Sequence, residues 1–284
     1  MKIQTPLFSL LLSLLLFSCY APRYMYAPAA QNVPVLTKQG DSKLAAYYST
    51  DLSASPFGAD NSGKDKSNGL DLHAAVAITN GFAVQANYMS RSERNGGNEN
   101  NVDNTAINYK RNMAELGLGF FKSIGRRDKV MFQVFGGAGK GEFSFTDEGQ
   151  DANGTFGIHH HQADVFKVYI QPAFIFRPKK TFALSVSSRV SFINFRNIKT
   201  DYSDTDLGNY LLNDLPHGSR TFWEPAFTNT IGFAKAPGLK LEYQLGLSLQ
   251  VDQRNIDYRS VNFALGIVLD VPKLFMAAPT AEKN

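Results

Sequence analysis

Residues 69–92 read GLDLHAAVAITNGFAVQANYMSRS, and this stretch decides the fold class. The first arm places its larger apolar side chains on one face and its polar or small ones on the other: Leu70, Leu72 and Val76 against Asp71, His73 and Ala75. The Asn80-Gly81 pair favours a two-residue hairpin turn, because both central positions need positive φ. Each arm is about ten residues long, the length with which a tilted strand crosses a bilayer. The stretch predicts a hairpin of two membrane-spanning β-strands.

The same alternation returns along the chain as far as residue 269 and gives about ten candidate strands. Short turns alternate with long polar loops at 53–68, 93–110, 147–163 and 199–220. Outer-membrane barrels have this arrangement, with short periplasmic turns and longer external loops. We therefore predict an all-β fold, an up-and-down antiparallel transmembrane β-barrel of about ten strands over residues 41–272. No helix is predicted in the mature chain.

A soluble β-sandwich is the competing interpretation, and the non-apolar face of the strands argues against it. That face is rich in Gly, Ala and Ser and carries few charges, which suits a narrow lumen better than a water-washed surface. Aromatic residues gather near the strand ends, as in an interfacial girdle. Pro172 and Pro225 count against a closed barrel and are interpreted as bulge sites. A further bulge is predicted at the glycines 136–139, because Phe143 and Phe145 follow with the opposite parity.

The N-terminus has the features of an export signal. Residues 1–18 combine Lys2 with an apolar core of about a dozen residues, too short to span a membrane as a helix. The core ends in Leu-Phe-Ser-Cys at Cys19, the single cysteine of the chain, and this resembles a bacterial lipobox. We predict a lipoprotein signal peptide at 1–18, acylation (palmitate) of Cys19, a lipidated tether at 19–40 and a periplasmic tail at 273–284. A plain signal peptide with an incidental cysteine is the alternative.

Short motifs in the first ninety residues resemble those of a group of Bacteroidota lipoproteins of unknown role. They are a Cys-Tyr-x-Pro start, the Asn-Val-Pro segment at 32–34 and the Ala-rich hairpin arm at 74–80, which ends in Thr-Asn. The resemblance implies an outer-membrane β-barrel and brings no assigned activity. The expected location is the outer membrane, with the N-terminus anchored on the periplasmic side.

The composition limits the partners. The net charge is +4 and the basic residues are scattered, so nucleic acid is not an expected partner. The expected partners are outer-membrane lipid and the machineries that insert barrels and sort lipoproteins. No cofactor is expected.

Several ionisable residues are predicted to face the lumen and are the candidate site residues. By strand direction, the outer half holds one group and the periplasmic half another: Asp71, His73, Glu115, Lys167, Arg189 and Glu224; then Lys240, Glu242 and Asp270. One interpretation is a network of ion pairs that closes the lumen. The other is an active site at the mouth, in which Asp71, His73 and Glu115 supply acid, base or orienting groups, with Ser49 or Ser191 as a hydroxyl.

The second interpretation resembles surface proteases of the omptin type in layout only, since none of their catalytic motifs is present.

The triplet His159-His160-His161 is interpreted as a solvated loop and not as a metal site, because adjacent strand residues point in opposite directions. The run 136–141 lacks the ending and the helix of a phosphate loop.

Three functions remain open at the level of sequence. The first is a lipid-anchored, non-catalytic barrel with outward loops for surface contact or envelope integrity. The second is a narrow pore, since Gly117, Gly119, Gly246 and Gly266 would leave space in the lumen. The third is an outer-membrane hydrolase at the barrel mouth.

Overall fold

A computed structural model of the chain describes residues 22–52, 66–96, 106–124, 129–150 and 156–271. The predictions for 1–18, Cys19 and 273–284 lie outside the described residues. The strands in chain order are β1 (Ser42–Asp51), β2 (Lys66–Ala77), β3 (Phe82–Gly96), β4 (Ala106–Ile124), β5 (Val130–Gln150), β6 (Phe156–Lys179), β7 (Phe182–Thr200), β8 (Arg220–Phe233), β9 (Ala236–Leu247), β10 (Leu249–Gln250) and β11 (Val261–Leu269). A short helix, α1 (Asp204–Asn209), lies between β7 and β8.

The strands close into one antiparallel barrel. β1 to β9 pair in sequence order, β11 follows β9, and β11 pairs with β1 to close the ring. The two-residue strand β10 extends β9 beyond a break at Ser248 and pairs with β8. The barrel therefore has ten long strands, which confirms the predicted fold class.

An apolar belt surrounds the barrel. On β4, the outward-facing Leu116 and Leu118 are 70% and 68% exposed, and the matching face of every neighbouring strand is also apolar. An exposed apolar band of this kind is costly in water and is the surface that lipid covers, and a closed barrel leaves no unpaired backbone edge in the bilayer. The chain is thus a transmembrane β-barrel. Among the described residues, no helix is long and apolar enough to cross a membrane.

The strands of one wall continue well beyond this belt, into stretches that were predicted as loop. β3 reaches Gly96, β4 begins at Ala106, β5 reaches Gln150 and β6 begins at Phe156. The prediction failed there because the outward face above the belt is polar, with residues such as Lys110. Strand structure persists because the inward face carries a buried aromatic core. We call this part of β3–β7 the outer wall.

The predicted bulges are not found at the predicted places. β5 pairs with β4 and β6 in continuous register through residues 136–139, so Phe143 and Phe145 point inward without any shift. The large apolar residues of β5 change from outward to inward positions here because the interior above the belt is aromatic. Pro172 and Pro225 also lie in continuous register. The register shifts lie instead at 162–164, 176–179 and 232–233.

The N-terminal segment follows a path that was not predicted. Residues 22–36, called the plug segment here, run through the lumen, and all but Pro22, Ala29 and Val35 are buried. The sequence predicted a tether outside the barrel at the short-turn end. The segment has no apolar period because its side chains meet walls on all sides, and an extended chain surrounded in this way can alternate apolar and polar residues freely.

The helix α1 corrects the prediction that the mature chain has none. Ser203 caps it, with the Ser203 Oγ accepting a hydrogen bond from the backbone N–H of Asp206 at 3.2 Å. Such an N-cap Ser followed by acidic residues in the first turn is a recognised helix start. The loop that contains α1 folds inward over the mouth, because Tyr202, Leu212 and Leu215 join the aromatic core.

Candidate functional site

Four of the six residues predicted for the outer half of the lumen form one compact cluster: Glu115, Lys167, Arg189 and Glu224. The Lys167 Nζ lies 3.0 Å from the Glu115 Oε1 and 3.8 Å from the Glu224 Oε2. The Arg189 Nη1 lies 3.6 Å from the Glu115 Oε2, and its Nε and Nη2 donate to the Gln171 Oε1 at 2.9 and 2.7 Å. These charges come from β4, β6, β7 and β8, and all of them are buried. The arrangement is a buried network with opposite charges in contact.

The plug segment completes this cluster. The Tyr26 hydroxyl donates a hydrogen bond to the Glu224 Oε1 at 2.5 Å, and the Ser191 hydroxyl donates to the Glu224 Oε2 at 2.5 Å. Glu224 therefore has both oxygens occupied. Ser191, a candidate nucleophile, is already a donor to a carboxylate and faces no His.

Asp71 and His73 are both buried, and the plug segment contacts Asp71. The Asp71 Oδ2 accepts a hydrogen bond from the Ala30 backbone N–H at 3.0 Å and lies 3.6 Å from the Arg91 Nη2. His73 is 4% exposed, and its ring centroid lies 4.9 Å from that of Tyr47. In the strand register, Asp71 pairs with Tyr47 of β1 on one side and with Met89 of β3 on the other.

The conceivable Ser49–His73 arrangement does not form. The Ser49 Oγ accepts a hydrogen bond from the Arg91 Nη2 at 3.0 Å, and Arg91 also forms an ion pair with Asp51 at 2.6 Å. A nucleophile needs a base within hydrogen-bond reach and space for a substrate. The described lumen offers neither, so the geometry gives the hydrolase hypothesis no support.

The second predicted group of charges lies nearer the short-turn end. Glu242 accepts three contacts, from the Lys43 Nζ at 2.9 Å, the Tyr47 hydroxyl at 2.6 Å and the Thr230 hydroxyl at 2.8 Å. The Lys240 Nζ lies 3.9 Å from the Asp270 Oδ2. These residues are also held in ion pairs.

Three of the four lumen glycines lie against large side chains. A Cβ on Gly119 would lie 2.3 Å from the Phe135 ring, one on Gly117 2.6 Å from the Tyr169 hydroxyl, and one on Gly266 2.5 Å from the Tyr47 ring. Gly246 is less crowded, with its nearest neighbour at 3.9 Å. Three of the four positions named for a pore are therefore filled.

Other buried charges, which the sequence did not single out, hold the upper part of the plug segment. Arg111 forms an ion pair with Glu93 at 2.9 Å and donates to the Tyr24 carbonyl at 2.7 Å. Arg259 also contacts Glu93, and its guanidinium lies 3.7 Å from the centroid of the Tyr24 ring. Their partner Glu93 begins the predicted loop at 93–110 and Arg111 directly follows it, in a stretch where a charge is ordinarily solvated.

At the mouth, Arg23 is fixed by the loop that carries α1. The Arg23 Nη2 lies 2.5 Å from the Asp147 Oδ2, which also accepts a hydrogen bond from the Tyr202 hydroxyl. The Arg23 guanidinium stacks over Tyr210, 3.9 Å from the ring centroid. Burial and the hydrogen bond to Asp147 raise the pKa of the Tyr202 phenol, so this hydroxyl remains a donor. The mouth is closed by an ordered set of contacts.

The histidine triplet lies on β6 and not in a loop. His161 points inward against Phe145, whereas His160 lies on the water-facing side of the outer wall, where its Nδ1 is 3.1 Å from the Thr146 hydroxyl. Within the described residues, no three His, Cys, Asp or Glu side chains form a metal-binding group.

A polar groove of about 760 Å³ runs over this part of the outer wall. It is lined by aromatic rings and by hydroxyl, amide and charged groups of both signs, among them Asn108, Lys110, Ser144, Glu148, Gln162, Lys199 and Asp201.

One signal in the sequence could have located the plug segment. A narrow lumen with many inward polar groups needs hydrogen-bond partners, and the strands alone do not supply enough of them. The run Tyr24 to Asn32 offers backbone amides, two phenols and two carboxamides ahead of the first strand. Its Gln31 and Asn32 are the residues that bond to Gln244 and Asn87.

Comparison with known proteins finds likeness in architecture only. No protein-family model matches the chain, and no curated protein matches it. Among solved structures, the translocator domain of the autotransporter NalP from Neisseria meningitidis is similar over 81% of this chain and 88% of that one, at 8% identity and a TM-score of 0.45. The COG4313 outer membrane channel from Pseudomonas putida F1 is similar over 84% and 99%, at 11% identity and a TM-score of 0.40. The outer membrane protease OmpT from Escherichia coli is similar over 81% and 93%, at 9% identity and a TM-score of 0.40.

Proposed function

We propose that this protein is a non-catalytic, lipid-anchored outer-membrane barrel that presents a rigid surface to the outside of the cell. The observation that carries the proposal is the plug segment, which fills the lumen and occupies the candidate acids Asp71 and Glu224. The plug segment fills the described part of the lumen, which argues against a solute path and against a substrate cleft inside the barrel. What it offers to a partner is its exterior.

The outer wall supports a role in surface contact. Its strands extend the barrel beyond the apolar belt, and its inner face is fixed by the aromatic core. The groove on its water-facing side presents donors and acceptors on strands, and a site built on strands is held more rigidly than one on loops. Such a groove suits a polar partner that binds through hydrogen bonds.

Conductance in planar bilayers tests the filled lumen. Inserted protein, verified as folded by heat-modifiable migration on a detergent gel, is expected to be electrically silent. Stable single-channel steps from folded protein would favour the pore hypothesis instead.

The lipid anchor is a separate part of the proposal and rests on the Leu-Phe-Ser-Cys pattern. Metabolic labelling with a palmitate analogue is expected to mark the parent protein, and Cys19→Ser is expected to lose the label while the barrel still folds. Equal labelling of the two proteins would exclude acylation at Cys19. Folding of the variant is checked on the same heat-modifiability gel.

A further inference from the structure

The direction of the plug segment fixes where its two ends lie. At one end, the Arg23 Nε donates to the Asp147 Oδ2 at 2.8 Å, near the end of β5 that carries the outer wall. At the other end, the Gly40 N–H donates to the Ala77 carbonyl at 2.9 Å, beside the short β2–β3 turn. The described segment therefore traverses the barrel from the outer-wall end to the short-turn end.

Contacts with opposite walls show that the segment runs inside the lumen and not in a seam between strands. Gln31 exchanges hydrogen bonds with Gln244 of β9, at 2.6 Å through its N–H and 2.9 Å through its carbonyl. The next residue, Asn32, donates to Asn87 of β3 at 3.0 Å and accepts from Gln171 of β6 at 2.8 Å. Three separate strands thus hold two consecutive residues.

We propose that the chain crosses the outer membrane through its own barrel before its first strand, so that Cys19 and its acyl group are presented at the cell surface. The inference rests on the proposed function for the outward orientation of the outer wall and for acylation of Cys19. It reverses the expectation of a periplasmic anchor. It also assigns the plug segment a second role, as the passage that carries the N-terminus outward.

The reach of the chain decides against a return to the other side. Cys19 lies three positions before Pro22, and these three steps span at most about 10 Å when fully extended. The apolar belt of an outer-membrane barrel is about 25 Å tall. Since Pro22 precedes Arg23 at the outer-wall end, Cys19 cannot reach the short-turn end.

Thiol labelling on intact cells tests the inference with three single substitutions. Pro22→Cys probes the outer end of the plug segment, and Gln39→Cys probes the exposed turn at the opposite end. Thr205→Cys in α1 probes the outward orientation itself, because Thr205 is exposed beside the mouth. The probe is a maleimide that does not cross the outer membrane. All variants are checked for heat-modifiable folding. The parent protein is treated with the same maleimide, because a Cys19 thiol that is not acylated would also react.

We expect Pro22→Cys and Thr205→Cys to be labelled on intact cells, and Gln39→Cys only after the outer membrane is permeabilised. Labelling of Pro22→Cys only after permeabilisation, while Thr205→Cys labels on intact cells, would overturn the inference and leave the barrel orientation intact. If instead Gln39→Cys labels on intact cells and Thr205→Cys does not, the orientation in the proposed function is wrong. Should Pro22→Cys fail to fold, it is replaced by a short epitope inserted after Cys19, with antibody access to intact cells as the readout and the same two outcomes.

Discussion

At the scale of the residue, the lumen is a place where each charge depends on a specific neighbour. Glu115 is 4% exposed and contacts both Lys167 and Arg189. Leaving a buried charge without its partner costs more than the pair contributes, because the remaining ion has lost its water. The residue types in the lumen are therefore constrained by pairs and not by single positions.

Glu115→Leu should destabilise the folded barrel by about 3–5 kcal/mol, since Lys167 and Arg189 lose a buried partner. Urea titration of the folded fraction, read on a heat-modifiability gel, measures this. Glu142→Gln on the outward face of β5 is the matched control and should change stability by about 0.5 kcal/mol or less. An unchanged midpoint for Glu115→Leu would show that the cluster is not energetically coupled.

The lumen glycines make an equally specific prediction. Gly119→Ala should impair folding, because its Cβ would meet the Phe135 ring at 2.3 Å, whereas Gly136→Ala has its nearest contact at 3.7 Å and should be tolerated. The yield of heat-modifiable protein in outer-membrane fractions compares the two. Equal yields would mean that Phe135 can move aside.

At the scale of the element, the plug segment and the outer wall depend on each other. The N-terminal part of the plug segment lies among buried arginines and aromatic residues of the outer wall, and it helps to close the mouth. Ion pairs such as Arg91–Asp51 and Arg111–Glu93 line its path. Removing the segment leaves hydrogen-bonding groups facing an empty lumen, into which water can enter.

Deletion of residues 22–36 should therefore convert the silent barrel into a conducting one. Planar-bilayer recording of folded, inserted protein is the measurement, with the parent protein as the silent control. A replacement of the same segment by a Gly/Ser sequence of equal length separates loss of volume from loss of specific contacts, and it should conduct intermittently. A folded deletion variant that stays silent would indicate that side chains alone close the lumen.

At the scale of the whole molecule, the alternation of apolar and small residues was enough to predict the barrel, its strand number and its outward face. The strand ends were harder to predict, because above the belt the outward face is polar and the inward face is apolar, as Phe143 and Phe145 illustrate. The shared depth of the cluster's charges followed from strand direction, and in the observed register Glu115 and Lys167 both pair with Gly139. The plug segment could not be predicted from periodicity, because its partners come from many strands.

The central claim is that the chain's own N-terminal segment fills the barrel, and a crosslink tests it most directly. Gln31→Cys with Gln244→Cys places thiols on two residues that share hydrogen bonds across a separation of 213 positions in sequence. A short thiol-specific crosslinker applied to the folded protein should join them and change the migration of the boiled chain. The pair Gln39→Cys with Gln244→Cys, whose first thiol lies outside the lumen, should not be joined. Absence of the Gln31–Gln244 crosslink in protein that is demonstrably folded would contradict the account.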